Sequence, residues 1–470
     1  MVVGEVAEPV DLLVVGGGPG GYAAALRAAQ LGRKVTLVER GGEDALGGCC
    51  LHVGCIPSKA LIELASAAHH TGSMAAAGLV VGDVAVDLER FQEFRRGVTG
   101  GLAKGVAQLL SAAGVRVIQG ELRFNRPDRA AVNTPDGNVL FFEFRDAIVA
   151  TGSRPTVLPG LEPDGERIVD STGALALTAL PASMAVVGGG YIGLELGTAY
   201  AKLGVAVTIV EALDRILPTV DQALTRPVLR RLKDLGVDVR LRTRAERVDG
   251  DELVVDCPDG ERRVPAACVV VAVGRAARTD DLGLREAGIP VGPDGLIPVG
   301  PDRLARAHVA AVGDVVAGPA LAHKATHEGV VAAEALSGHP TAFDPAAIPQ
   351  VVFSDPEVAS AGLSLDEAKA AGLDAEEAAF PLSASGRAAT LGARAGFARM
   401  VVDRAADRIV GVHLVGPHAS ELIAEGTLAI EMVASPDDLA GTIHPHPTLS
   451  EQLGEVAELL AGRPLHVVAR

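Results

Sequence analysis

Asp11-Leu12-Leu13-Val14-Val15-Gly16-Gly17-Gly18-Pro19-Gly20-Gly21 is followed far downstream by a near copy of itself, Met184-Ala185-Val186-Val187-Gly188-Gly189-Gly190-Tyr191-Ile192-Gly193-Leu194-Glu195. Each copy is an apolar run of the length of a buried parallel strand, then a glycine turn, then a helical stretch, expected at about 22–31 in the first copy. A second apolar run at 34–38 follows and ends in an acid, Glu39. The second copy keeps these details: Leu203-Gly204 repeats Leu31-Gly32, and Glu211 repeats Glu39. Gly16 and Gly18 let the backbone turn and approach a pyrophosphate, Gly21 lets the helix pack closely, and the helix N-terminus offers positive potential. Gly188, Gly190 and Gly193 take the same places in the second unit. Glycine spacing alone is a weak signal, but strand, helix and terminal acid make it specific, and repetition of a whole βαβ unit implies two dinucleotide sites. Glu39 can accept bonds from ribose hydroxyls. Glu211 would bond a 2′-hydroxyl and repel a 2′-phosphate, which favours NAD over NADP at the second site and leaves FAD for the first.

Composition agrees with a large folded α/β chain. At 470 residues, about three domains are expected. Apolar residues make up 48%, which excludes disorder. Trp is absent, aromatics are 3% and the formal charge is −17, so stacking platforms and phosphate-backbone binding are not expected and no nucleic-acid partner is foreseen. An acidic surface suits a basic protein partner. The first residues carry acids where a secretory signal carries Lys or Arg, so a cytoplasmic location is expected. No uninterrupted apolar run reaches the ~18 residues of a membrane span, so no membrane partner is expected either.

Between the repeats lies Gly47-Gly48-Cys49-Cys50-Leu51-His52-Val53-Gly54-Cys55-Ile56-Pro57-Ser58-Lys59. Thiols this close in sequence can form a small ring, reopen on accepting two electrons and exchange with an outside disulfide. The other cysteines, Cys257 and Cys268, are read as structural, and no metal site is expected because no second Cys or His pair lies near the turn. Two strand ends, Ala150-Thr151-Gly152 and Val273-Gly274-Arg275, finish in glycines that permit close approach to a nucleotide. A third, Val312-Gly313-Asp314, places an acid that can bond a ribitol chain or cap the following helix.

These motifs, with Leu321-Ala322-His323-Lys324-Ala325, Ser354-Asp355-Pro356-Glu357 and His444-Pro445-His446-Pro447-Thr448-Leu449-Ser450-Glu451, resemble the flavin-dependent pyridine nucleotide-disulfide oxidoreductases over nearly the full length. Within that family the resemblance is greatest to members that oxidise dihydrolipoyl groups with NAD and FAD in 2-oxoacid dehydrogenase complexes. A reductase of another low-molecular-weight disulfide is the alternative. Mercuric reductases carry a further C-terminal cysteine pair that is lacking here, and glutathione-type relatives commonly have Lys in place of Ser58. A binding subunit with a merely structural flavin is the rival from another class. The resemblance implies two Rossmann-like domains and a C-terminal α+β interface domain: FAD-binding segments at 1–155 and 276–345, an NAD-binding domain at 156–275 and dimerisation residues at 346–470. It also implies a homodimer, a dihydrolipoyl domain as substrate partner and a basic subunit-binding domain of an acyltransferase as a docking partner.

By the same resemblance, Cys50 exchanges with substrate sulfur and Cys55 lies against the flavin. His446 is the base, oriented by Glu451. Lys59 stands beside the flavin and pairs with Glu195 near the nicotinamide. Gly16, Gly18, Gly21, Glu39, Lys59, Gly120, Thr151, Gly152, Asp314, Ala322 and His323 are assigned to FAD. Gly188, Gly190, Gly193, Glu195, Glu211 and Gly274 are assigned to NAD, with a weaker contact from Ala245. Tyr191 is a candidate cover for the nicotinamide pocket. The chain departs from the family pattern at Cys49, where Thr is usual, and at His52, where Asn is usual; Cys49 is expected to be a packed residue, since a bridge between adjacent cysteines would be strained.

Overall fold

The computed structural model describes residues 7–468; the N-terminal stretch 1–6, on which most of the export reading rests, and Ala469 and Arg470 lie outside the described residues. The first repeat forms strand Glu8–Val15, helix Pro19–Gln30 and strand Val35–Glu39. The helix begins three residues earlier than its apolar pattern suggests. Pro19 occupies the first helical turn, where its missing N–H is no loss and its fixed φ suits the helix.

Parallel pairing places Glu8–Val15 between Val35–Glu39 and the long strand Val139–Val149, with Arg116–Gln119 beyond on one side and Val309–Ala311 on the other. The first half of Val139–Val149 instead pairs antiparallel with Arg129–Asn133, which continues to Glu121–Arg126. The second repeat builds the same arrangement: Asp238–Arg240, Ala206–Val210, Ser183–Val187, Cys268–Val271 and Ile168–Asp170 form a parallel sheet, beside a meander of Arg244–Asp249, Glu252–Cys257 and Gly260–Pro265. The chain leaves the first sheet along Ser153–Pro155 and returns along Arg275–Ala277, and these two segments pair antiparallel as a ribbon. Both central strands are buried on both faces along Leu12–Val15 and Met184–Val187, which is why these stretches read as continuous apolar runs.

A third, antiparallel sheet follows in the order Gln350–Val352, Glu357–Gly362, Arg408–Gly416, Phe397–Asp403, Ala375–Pro381. Helices Ala419–Glu431 and Glu451–Leu460 pack on it around Phe380, Met400, Val412, Leu414, Ile423, Leu453 and Val456. Helix Cys55–Ser73 runs along helix Tyr191–Lys202, so the segment bearing the cysteines joins the two dinucleotide units. The helical run Gly48–Ala77 is long and apolar enough to cross a membrane, although it holds no uninterrupted apolar stretch of that length. Here Val53-Gly54 break it after His52, and Leu61 and Ala65 are buried in the core shared with Leu194, Ala199 and Tyr200.

Helix Ala322–Leu336 returns against Pro19–Gln30 and is held by a buried ionic group. Glu328, fully buried, accepts from Arg303 at 3.0 Å, from the Gly313 amide at 2.8 Å and from Lys324 at 3.2 Å. Removing the carboxylate would strand two cations away from water. Glu328→Ala is therefore expected to destabilise the fold by about 3–5 kcal/mol, read as a lowered urea midpoint; an unchanged midpoint would show that the cations find other partners.

Candidate active site

The cysteine turn closes through Gly47, at φ +92°, into a short helix, Gly48–His52, and reopens at Gly54 into helix Cys55–Ser73. This brings the Cys50 and Cys55 side chains together in the lining of a cleft of about 960 Å³. The Cys50 thiol donates to the Cys55 sulfur. That hydrogen bond, helped by the Lys59 ammonium and opposed by desolvation, lowers the Cys55 pKa to about 7, and the same bond with burial raises that of Cys50. The pair thus divides into a thiolate at Cys55 and a thiol at Cys50 near neutrality.

The cleft walls have the shape of a dinucleotide cradle. Gly16 adopts φ +101°, and a Cβ there would lie 2.4 Å from the Ala150 carbonyl oxygen; a Cβ on Gly21 would lie 1.8 Å from the Gly16 oxygen. A Cβ on Gly18, by contrast, would meet nothing within 4 Å, so the helix N-terminus is open toward the cleft. The second unit repeats each relation: Gly188 at φ +113°, 2.5 Å for its Cβ to the Ala272 oxygen, 2.0 Å from a Gly193 Cβ to the Gly188 oxygen, and open space at Gly190. Glu39 and Glu211 also correspond. Each accepts from a glycine amide of its own turn, Gly17 or Gly189, at 2.6 Å. These bonds fix the acids at the strand ends while leaving carboxylate lone pairs for ribose hydroxyls.

Gly16, Gly18, Glu39, Gly120, Thr151, Gly152, Asp314 and Ala322 all line the cleft, together with both cysteines, Lys59 and Glu195. Gly21 stands behind the wall as a packing residue. The Thr151 hydroxyl is engaged with the Arg278 carbonyl at 2.7 Å, so its approach to a ligand is through the backbone. Asp314 does not cap a helix: Leu321 precedes helix Ala322–Leu336 without a side-chain cap, and Asp314 instead accepts from Ser153 beside the cleft. His323 does not line the cleft, and its ring Nε2 donates to the Pro349 carbonyl at 2.8 Å. Gly188, Gly190, Gly193, Glu211 and Gly274 stand apart from this cleft, around the N-terminus of helix Tyr191–Lys202. Tyr191, the first residue of that helix, lines the cleft and marks the border between the two sites; desolvation pushes its hydroxyl up to about 12. Ala245 sits in the meander opposite Val255.

Lys59 donates to Glu195 at 2.8 Å, across the junction of the two units, and Glu195 is almost wholly buried (4% exposed). Some contacts of the cleft go beyond the motifs. Arg275 donates to Ser153 Oγ at 2.7 Å and to Cys49 Sγ at 3.2 Å; burial still pushes the Cys49 thiol up against that guanidinium. Arg275 directly follows Gly274, so its position was visible in sequence although its partners were not. Phe353, just before Ser354-Asp355-Pro356, gives its amide to Glu195 at 3.0 Å. His52 donates locally, from Nε2 to the Leu46 carbonyl at 2.8 Å, which places the proton on that nitrogen.

His446 lies elsewhere. Its side chain is 78% exposed and does not line the cleft of its own chain. Nδ1 is 2.7 Å from Glu451 Oε1, and Glu451 Oε2 accepts from the Thr448 amide at 2.7 Å. Burial raises the Glu451 carboxyl, but these two partners outweigh it and hold the group below its ordinary range. The ring is thereby fixed with Nδ1–H toward Glu451 and a free Nε2 lone pair facing outward. His444, its neighbour, is tied to Glu425 at 2.8 Å.

Residues 10–329 match the family described as pyridine nucleotide-disulphide oxidoreductase, and residues 348–457 match the dimerisation domain of that family. The chain is 45% identical to a dihydrolipoyl dehydrogenase of Geobacillus stearothermophilus and 46% identical to one of Halobacterium salinarum, each alignment covering 100% of both chains. Among solved structures it is similar to LpdA of Mycobacterium tuberculosis, with a TM-score of 0.88 and 30% identity over 96% of this chain and 100% of that one. The HOCl-induced flavoprotein disulfide reductase RclA of Escherichia coli matches with a TM-score of 0.84 and 26% identity over the same shares. Fold, sulfur pair and full-length relatives agree: the chain belongs to the pyridine nucleotide-disulphide oxidoreductase family.

Proposed function

We propose that this protein is an FAD-dependent dihydrolipoyl dehydrogenase that passes electrons to NAD through a Cys50–Cys55 disulfide. The observation that carries this reading is the pairing of Cys50 and Cys55 in the lining of a cleft shaped for a dinucleotide, with Lys59 beside them. The full-length relatives of that activity support it. The cleft suits FAD: its volume, the open helix N-terminus at Gly18 and the acid at Glu39 fit a dinucleotide. The second fingerprint, with Glu211 at its strand end, suits NAD. The ribbon crossing and the start of the third sheet support domain limits near 155, 275 and 345.

The residues then divide the chemistry. Nε2 of His446 takes a proton from the incoming dithiol, and the thiolate so formed attacks Cys50, breaking its bond to Cys55. Cys55 departs as a thiolate, which Lys59 stabilises. The second substrate thiol displaces Cys50, closing the substrate disulfide and leaving Cys50 protonated. FAD, when bound, supplies the two-electron acceptor between sulfur and NAD. Because His446 is absent from the cleft of its own chain, we assign it to the cysteine pair of the other protomer of a homodimer. A dihydrolipoyl domain is the fitting substrate carrier, and the charge of −17 suits docking to a basic domain of an acyltransferase in a cytoplasmic 2-oxoacid dehydrogenase complex.

Cys50→Ser is expected to lower lipoamide-dependent NADH formation by on the order of 10³-fold or more; near-normal turnover would defeat the assignment. In the two-electron-reduced holoenzyme, the long-wavelength charge-transfer absorption should persist above the Cys55 pKa, about 7, and fade as pH falls through it. Lys59→Ala removes a charge that favours the thiolate, so the midpoint should move up. A midpoint that does not respond to Lys59 would remove that residue from the scheme.

A further inference from the structure

The dimerisation segment reaches the junction of the two dinucleotide units through Phe353-Ser354-Asp355, between strands Gln350–Val352 and Glu357–Gly362. Asp355 anchors this stretch: Oδ2 lies 2.9 Å from both Lys202 and Arg231 of the second unit. Lys202 also donates to Ser66 on the cysteine helix at 3.1 Å. Two residues before Asp355, Phe353 makes two contacts at once. Its amide donates to Glu195 Oε1 at 3.0 Å, and its ring lies under the Lys59 ammonium, with Nζ 4.2 Å from the centroid. Glu195 Oε2 takes the same ammonium at 2.8 Å. Carboxylate, ammonium and ring face therefore close a triangle.

An ion pair alone holds a lysine loosely, because the ammonium is a point charge on a flexible stem. The Lys59 side chain is also a third exposed. A ring face supplies a second attachment and shields the cation from water on one side, while the backbone amide keeps Glu195 aimed at Lys59. Phe353 itself does not line the cleft. We infer that Phe353 is a positioning residue that fixes the Lys59 ammonium beside Cys55 and so couples the seating of the dimerisation domain to the charge on the reactive sulfur. This rests on the role proposed above for Lys59.

The test compares wild type, Phe353→Leu, Phe353→Tyr and Lys59→Ala as dimeric holoenzymes, with dimer content checked by sedimentation. Two quantities are measured: the pH midpoint of the long-wavelength absorption after two-electron reduction, and kcat and KM for dihydrolipoamide. Phe353→Leu should shift the midpoint upward, in the direction of Lys59→Ala and by less, and lower kcat by about threefold to thirtyfold with KM unchanged. Phe353→Tyr keeps an aromatic face and should restore both. A leucine dimer with wild-type midpoint and kcat, or a tyrosine variant no better than leucine, would overturn the proposal while a shifted Lys59→Ala midpoint left the Lys59 reading standing. An unmoved Lys59→Ala midpoint would overturn both.

Discussion

The Cys55 sulfur is held toward its thiolate first by the hydrogen bond from Cys50 and then by a fixed positive charge, which Lys59 supplies within this chain. Its placement depends on all three parts of the fold. Helix Cys55–Ser73 carries it one turn beyond Cys55, Glu195 of the second unit receives it, and Phe353 of the dimerisation segment lies beneath it. Loosening any one of these contacts would leave the Cys55 sulfur in a less favourable field. On the proposed reading, the close packing of the domains is a condition of the sulfur chemistry as well as of stability.

The two dinucleotide units show how one backbone solution serves two purposes. In each, a glycine at positive φ faces a strand-end carbonyl, a later glycine lies against the first, and an acid is tied to the middle glycine amide. The differences lie in what surrounds the helix N-terminus. The first unit opens onto the cysteine pair with its glycine turn, whereas the second reaches that cleft through Tyr191, Ile192, Glu195 and Leu196 of its helix and not through its glycines. Proposed roles for two dinucleotides at two sites follow from surroundings rather than from the fingerprint itself.

Much of this was legible in the sequence because the determinants are local. The glycine spacing, the flanking apolar runs and the terminal acids lie within about thirty residues of each other, the span of a βαβ unit. Pro19 misled the reading of the helix start, since proline signals both turns and first helical turns. Asp314 stayed open between ligand and cap because sequence does not show where a carboxylate points; its bond to Ser153 spans 161 positions. His323 shows the same limit, as motif membership says nothing of a ring turned onto Pro349. Arg275 and Phe353 went unread for a related reason: their partners, Cys49 and Glu195, are 226 and 158 positions away.

His446 is the residue that one chain alone leaves without a task. Held by Glu451 with its free nitrogen outward, it lies outside the cleft that the cysteines of its own chain line. The direct measurement is activity of mixed dimers, purified through two different tags, that pair a Cys50→Ser chain with a His446→Gln chain. Both parent homodimers should be nearly inactive, while the mixed dimer holds one complete site of the two and should recover about half the wild-type rate. Mixed dimers no more active than their parents would contradict a reaction shared between protomers.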